Sequence, residues 1–457
     1  MIRRFLPPVD AAAAGAGGRR SSPRPFPRAT QRGTAVQAGN THCSIGSACG
    51  EAEIPLRILI TSIVDPARSA HNRLHEFVRH LSGRHDITII SIRDWWKAQQ
   101  ADVSRYLPGW DDTSRRIEVR YLSRRRINPV AQEVFSVLSI GGLLSAPGHF
   151  DVHLNYSSLV AGFSAGVRLK ARGVRTVYDI ADDLPALIRS SPQIAPILRP
   201  LGGAFARWML LRNVKLAERV TLTTDAIALP RGFGSKCEVI PNGVDTAMFT
   251  RRDTRELRGR LGLAGDFVIG YVGVLREWID LTPALQALRI LRDEGRKVKF
   301  LVIGEEGGLH SSRELAIRCG VSDLVQFLGT IPYAQVPGYL SCMDAGLIPF
   351  QVNDVTAGAL PLKLLEYMAC RIPVVSTRLP GIERAVGDRV VYALEARQIA
   401  EAVKWLMINP SKAGALGDDG REFVERRFGW NVMGDKLEAV LENAAAGRYT
   451  RQDPPPV

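Results

Sequence analysis

From Leu56 onward, short apolar runs rich in Ile and Val return along the chain, each followed by residues at helical spacing. Few folds satisfy that alternation. The first set of expected strands is Arg57-Ile58-Leu59-Ile60-Thr61, Ile87-Thr88-Ile89-Ile90-Ser91, 117–122, Val152-His153-Leu154-Asn155, 174–178 and Val220-Thr221-Leu222-Thr223. Helical stretches at 71–81, 159–171 and 193–217 separate some of them. Runs that are apolar throughout belong to parallel strands covered by helices on both faces. After the turn-rich junction Pro241-Asn242-Gly243-Val244-Asp245 a second set follows, at 268–272, 300–303, 325–328, 345–348 and 373–376. Three helical stretches close the chain, near 396–408, 413–427 and 430–445. The expected class is therefore α/β with two doubly wound domains, whose strand ends face each other across a cleft.

The expected organisation is a disordered basic tail over 1–53, a first domain over 54–235, a second over 236–427, a helix over 428–446 packing back on the first domain, and a disordered tail over 447–457. Residues 1–53 are rich in Ala, Gly, Pro, Ser and Arg without periodicity. They resemble a transit peptide in composition, but they lack its amphipathic pattern and read as an extension outside the folded domains.

Of the net charge of +14, the first fifty residues supply seven Arg against one Asp, so about +8 remains for the other four hundred. That excess reads as an Arg-rich bias with a basic tail, and no nucleic-acid partner is expected. The six cysteines show neither CxxC pairing nor zinc spacing, which fits a reducing, cytoplasmic setting. No apolar run reaches the eighteen or so residues of a membrane span.

The stretch 354–377 carries the densest chemical signal. Ala357-Gly358-Ala359 is a small-residue loop, Pro361 suits a first helical turn, and Leu362, Leu365 and Ala369 keep helical spacing. A helix entered from such a loop offers free N–H groups and a positive dipole end to a phosphate. Lys363, Glu366 and Tyr367 share the face away from the leucines. The competing reading is a solvated i,i+3 pair.

These pieces together resemble a retaining GT-B glycosyltransferase of family 4. The resemblance rests on Ile240-Pro241-Asn242-Gly243-Val244-Asp245 with Phe249, Ile269-Gly270-Tyr271-Val272-Gly273, Leu301-Val302-Ile303-Gly304, Phe327-Leu328-Gly329, and Leu364-Leu365-Glu366-Tyr367-Met368-Ala369 before Pro373-Val374-Val375. It covers roughly 56–445 and is strongest in the second domain. It implies transfer of a sugar from a nucleotide-diphosphate sugar to an acceptor hydroxyl, with no cofactor and no metal site. It also implies that Glu366 holds the nucleotide ribose. The family's first glutamate falls on Gly358, so backbone amides at Gly358, Ala359 and Leu360, with Lys363, are expected to take over its place.

The family's usual Arg and Lys after the first strand of the second domain align with Val274 and Ile279, so Arg276 in that loop, beside Gly273, is expected to supply charge together with Lys363. Pairing of Arg276 with Glu277 or Asp280 is the alternative. In the first domain, Arg68 and His71 could reach the diphosphate, against a surface role for Arg68. Asp179 or Asp182, at a strand's carboxyl end, could orient or deprotonate the acceptor, against helix capping before Leu184-Pro185.

The acceptor stays open between a sugar, a lipid-linked sugar and a small natural product. Arg115-Arg116 and Arg124-Arg125-Arg126, ahead of the apolar segment to Leu144, resemble the face by which some relatives dock peripherally on membranes, against a solvated face. Trp95-Trp96 could stack on a sugar or pack in a core. A nucleotide-sugar epimerase of the same fold and a non-catalytic binding module remain as alternatives.

Overall fold

The computed structural model describes residues 55–69, 71–94, 109–145, 149–190, 194–225, 229, 232–305 and 312–447. The expected tails lie outside these residues, Gly447 apart, as does Trp95-Trp96.

Seven parallel strands build the first sheet: β1 (Arg57–Ser62), β2 (Asp86–Ser91), β3 (Ile117–Tyr121), β4 (Val152–Tyr156), β5 (Arg175–Ile180), β6 (Arg219–Leu222) and β7 (Cys237–Val239), in the order β3-β2-β1-β4-β5-β6-β7. Ile58 and Ile60 of β1 face the helix Arg73–Leu81, while Leu59 between them faces the helices Pro129–Leu143 and Val160–Lys170. Both faces are dry, which explains why the run is apolar at every position.

The second sheet has β8 (Phe267–Val272), β9 (Val298–Ile303), β10 (Val325–Gly329), β11 (Ala345–Ile348), β12 (Val374–Ser376) and β13 (Val391–Tyr392), in the order β10-β9-β8-β11-β12-β13. Two edges differ from expectation. The first domain does not end at 235, because β7 pairs with β6, Val220 opposite Cys237 through Leu222 opposite Val239. The second sheet gains β13, which pairs with β12 through only Val375–Val391 and Ser376–Tyr392.

In each sheet the chain reverses its winding direction beside the first strand, between β1 and β4 and between β8 and β11. Crevices open at such switch points, beyond the carboxyl ends of the strands. The loops after β1 and β8 therefore belong to the cleft. Gly273 after β8 (φ 123°) and Gly304 after β9 (φ 136°) sit so close that a Cβ on Gly304 would lie 2.1 Å from the Gly273 carbonyl oxygen. Only glycine fits there.

The last helix, Trp430–Ala445, returns to the first domain. Its Trp430, Met433, Leu437 and Leu441 are buried with Leu74, Phe77 and Leu81, and Trp430 meets Phe77 edge-on at 6.0 Å. Burying such side chains stabilises by roughly 1.5–3 kcal/mol each, so this helix straps the two domains together. Glu438 adds hydrogen bonds from His85 (2.7 Å) and His80 (3.1 Å).

Candidate active site

The loop before the helix Leu362–Ala369 is shaped by its neighbours. Asn353 caps the short turn Asp354–Ala357 in a reciprocal capping box with Thr356. The Asn242 side chain from the interdomain junction donates to the Leu360 carbonyl at 2.8 Å. A Cβ on Gly381 would lie 2.7 Å from the Ala359 carbonyl oxygen, so Pro380-Gly381 closes over the loop from behind. Pro361 stands at the N-cap rather than inside the first turn, and no side chain caps the helix. Its first amides are left to an external acceptor.

Lys363 and Glu366 leave this helix in different environments. The Lys363 ammonium donates to the Tyr271 hydroxyl at 2.7 Å and lies over the Tyr271 ring (4.1 Å) and beside that of Phe350 (5.5 Å). The Tyr271 hydroxyl in turn donates to the Val274 carbonyl at 3.0 Å. Gly273 is the gap through which Lys363 passes, since a Cβ there would lie 2.9 Å from Nζ. Burial lowers the Lys363 pKa to about 7, against a smaller opposing effect of Glu366. A desolvated lysine beside an uncapped helix start is chemically able to receive an anion.

Glu366 is almost fully buried and accepts from the Tyr333 hydroxyl at 2.9 Å. Burial raises its carboxyl, opposed by His71, Tyr333 and Lys363. The Tyr333 ring stacks on His71 at 4.2 Å, and His71 is bonded to Glu76 at 2.7 Å. His71 comes from the loop after β1, so the stack of Tyr333 on His71 bridges the two domains.

Tyr367 does not share this face. It is fully buried, accepting from the Val272 amide at 2.9 Å with its ring against Gly346.

The other expected residues separate. Asp182, Gly358, Ala359 and Leu360 line one cavity of about 590 Å³ between the domains, within the usual range for a ligand site. Asp182 retains solvent contact, yet the surrounding cleft walls raise its carboxyl by desolvation, ahead of the opposing charge of Arg73. Asp179 does not reach the cleft. It is fully buried, bonded twice to Arg73 (2.9 and 3.2 Å) and to the Thr221 hydroxyl at 2.5 Å.

Arg73 also donates to the Pro241 carbonyl at 2.6 Å, so Asp179 anchors the interdomain junction instead of meeting an acceptor. The helix-capping carboxylate is Asp183, which accepts from the Ala186 amide at 3.0 Å. Arg68 is drawn to its own domain, toward Asp65 (3.9 Å) and the Asp94 carbonyl (3.5 Å). Arg276 is exposed on the loop after β8, with no ion pair to Glu277 or Asp280; Asp280 caps the next helix through the Thr282 amide at 2.8 Å.

Sequence reasoning missed Tyr271, Tyr333, Arg189, Arg207 and Trp278. The last three line the cavity opposite or beside the 358–361 loop. The two His/carboxylate groups with metal-like spacing among the described residues, His80-Asp435-Glu438 and His85-Glu438-Glu442, lie where the last helix docks. There His85 also accepts from the Leu56 amide, and Arg84 pairs with Glu438.

Residues 253–423 match the family model of glycosyl transferases group 1. Over that segment the chain is similar to the group 1 glycosyltransferases, and it is a glycosyltransferase. It is 27 % identical over 289 residues to the 2-deoxystreptamine glucosyltransferase of Streptomyces kanamyceticus, covering 61 % of this chain and 73 % of that protein. It is 29 % identical over 238 residues to the GDP-mannose-dependent α-(1-6)-phosphatidylinositol monomannoside mannosyltransferase of Mycobacterium tuberculosis, spanning 50 % of this chain and 61 % of that one. The glycosyltransferase also superposes on the crystal structure of Anabaena HepE in complex with UDP-glucose, with a TM-score of 0.66 and 17 % identity over 85 % of this chain and all of that one. That likeness establishes the GT-B fold.

Proposed function

We propose that this enzyme is a family 4, retaining glycosyltransferase that moves a sugar from a nucleotide-diphosphate donor to an acceptor hydroxyl without a metal ion. The observation that carries the proposal is Lys363, desolvated and held by Tyr271 beside the uncapped start of the helix Leu362–Ala369. The GDP-mannose dependence of one similar protein and the UDP-glucose bound in the crystal structure of another support a nucleotide sugar as donor.

In this reading the diphosphate lies on the first amides of that helix, with Lys363 and Arg276 offsetting its charge. Glu366 takes the ribose hydroxyls, a role for which Tyr333 orients it. The Leu360 amide borders the sugar, since those of Gly358 and Ala359 are already bonded to the Thr356 carbonyl. The bond between the anomeric carbon and the diphosphate oxygen breaks while a bond to the acceptor oxygen forms on the same face. The acceptor proton passes to the departing phosphate oxygen, and Asp182 on the opposite wall orients the hydroxyl. Fixed cations and amides suffice for so good a leaving group, because they need no reorganisation as charge develops.

The test is turnover of UDP-glucose and GDP-mannose in the presence of EDTA, with product configuration read by NMR. Nucleotide release that survives EDTA, yields the donor's own anomer and falls about 10²–10³-fold in Lys363→Ala supports the proposal. Inversion, EDTA inhibition or an unchanged variant opposes it.

A further inference from the structure

The two walls of the interdomain cavity differ in chemistry. The first domain lines it with Asp182, Arg189 and Arg207, side chains able to hydrogen-bond to the hydroxyls of a ligand. From the second domain come Trp278, Phe350 and the loop from Ala357 to Leu360, together with the exposed Asp354 and with Thr356, whose hydroxyl donates to the Gln351 carbonyl. On that loop the Gly358 and Ala359 amides are bonded to the Thr356 carbonyl, and the Leu360 carbonyl takes the Asn242 side chain. The surface left on this wall is therefore mainly aromatic and aliphatic, with the Leu360 amide at its edge. Apolar walls with a few fixed polar groups orient a ligand by shape.

Trp278 and Phe350 are held as one platform. Trp278 stands in the loop after β8, where Arg276 and Glu277 are exposed while the indole is half-buried on the core cluster that contains Phe350 and Leu360. Two backbone bonds stitch this loop to the segment after β11. The Gln351 amide donates to the Trp278 carbonyl and the Asp280 amide to the Pro349 carbonyl, both at 2.9 Å, and Ile279 lies opposite Phe350 as an antiparallel bridge. Residues fixed in this way by main-chain pairing keep their place when a ligand arrives. Phe350 also marks the end of the platform nearest the anion site, since the Lys363 ammonium lies 5.5 Å from its ring. A diphosphate at Lys363 leaves the attached sugar beside these two aromatic side chains.

We propose that Trp278 and Phe350 carry the ring of the transferred sugar and select donors of the gluco configuration, whose ring hydroxyls are equatorial. This rests on the donor placement and same-face transfer proposed above. In an α-linked donor the phosphate leaves from the α face, and the acceptor arrives on that face from the wall that holds Asp182. The β face of the ring then turns to the opposite wall, onto the indole. Positively polarised C–H groups suit the negative face of an aromatic ring. A gluco ring presents axial hydrogens on its β face, at C2 and C4. The C4 epimer and the C2 epimer each put an axial hydroxyl there instead. Pressed against the apolar rings, that hydroxyl loses its water and finds no partner, which is costly.

The experiment is calorimetry of the full chain with donors that share a nucleotide and differ at one ring carbon. UDP-glucose is set against UDP-galactose, and GDP-glucose against GDP-mannose, with UDP and GDP as sugar-free references, in wild type, Trp278→Ala and Trp278→Phe. On the nucleotide that binds, the gluco donor should bind about 10–10²-fold more tightly than its epimer. Trp278→Ala should bring the two epimers close to equal affinity, while its affinity for the bare nucleotide stays that of wild type. Trp278→Phe keeps an aromatic face and should retain most of the preference. The bare nucleotide reports on the donor site and the epimer ratio on the platform, so the two fail separately. The wild-type ratio stands as a test even where a variant is unstable. Equal affinity for the epimers, tighter binding of the axial one, or a ratio unmoved in Trp278→Ala overturns the proposal. Binding of neither UDP nor GDP overturns it too, together with the donor site on which it rests.

Discussion

With Lys363 on the donor diphosphate, as proposed, donor affinity should vary with pH, with a sign that follows from its burial. In the free enzyme its pKa is lowered to about 7, so above that pH the neutral amine dominates. A diphosphate placed beside it favours the ammonium and draws the pKa back toward the usual lysine value of about 10.4. Binding between these limits therefore takes up a proton, and affinity falls as pH rises, by about tenfold per unit well above pH 7. Between pH 6 and 8.5 the dissociation constant of the donor should rise about 30-fold.

Calorimetry with UDP-glucose or GDP-mannose, whichever stabilises the protein, is the suitable assay, because the esterified diphosphate does not titrate in this range. Repeating it at pH 8 in two buffers of different ionisation enthalpy should reveal uptake of about 0.9 proton. Lys363→Arg keeps its charge throughout, so its profile should be flat, with affinity near the wild-type value at pH 6. A flat wild-type profile, or a slope that survives in Lys363→Arg, would refute the assignment of Lys363 to the diphosphate.

Tyr333→Phe removes the hydrogen bond to Glu366 while keeping the ring on His71; nucleotide affinity should weaken about 5–10-fold, with little change in melting temperature. Arg73→Ala strands the buried Asp179 carboxylate, and chemical denaturation should show a loss of about 3–5 kcal/mol. Asn242→Ala frees the Leu360 carbonyl, so kcat should fall by about tenfold or more, with a melting temperature within a few degrees of wild type; unchanged turnover would show that the loop is held by other means. Trp430→Ala empties the interface between the last helix and the first domain, at a cost of about 3–5 kcal/mol read by the same denaturation.

The strands of both sheets and the three closing helices were legible because apolar runs and helical spacing are local properties of the chain. The edge strands were not. Cys237-Glu238-Val239 is partly exposed, and Val391-Tyr392 spans two residues, so neither produces an apolar run of its own. The candidate site divides in the same way. Lys363, Glu366 and the 358–360 loop announce themselves within one short stretch, whereas Tyr271 and Tyr333 arrive from 92 and 33 residues away along the chain to bond them.

Asp179 shows the limit most clearly. Three carboxylates at the end of a strand read as a cleft rim, but Arg73, 106 residues earlier, takes Asp179 out of the cleft. Tyr367 likewise shares helical phase with Lys363 and is claimed by the amide of Val272, 95 residues away. Local pattern tells which residues are chemically able, and tertiary partners decide which are left to act.

On the proposed function, the helix Leu362–Ala369 holds a nucleotide through its free amides, Lys363 and Glu366. It is tested most directly by thermal shift of the full chain with UDP, GDP, ADP, CDP and dTDP, each with EDTA or with Mg²⁺, in wild type, Lys363→Ala and Glu366→Ala. One nucleotide should stabilise the protein, by about 2.7 kcal/mol at a hundredfold excess over its dissociation constant, the same with EDTA as with Mg²⁺, and sharply less in both variants. No response to any nucleotide, a response that needs Mg²⁺, or one undiminished in both variants would contradict it.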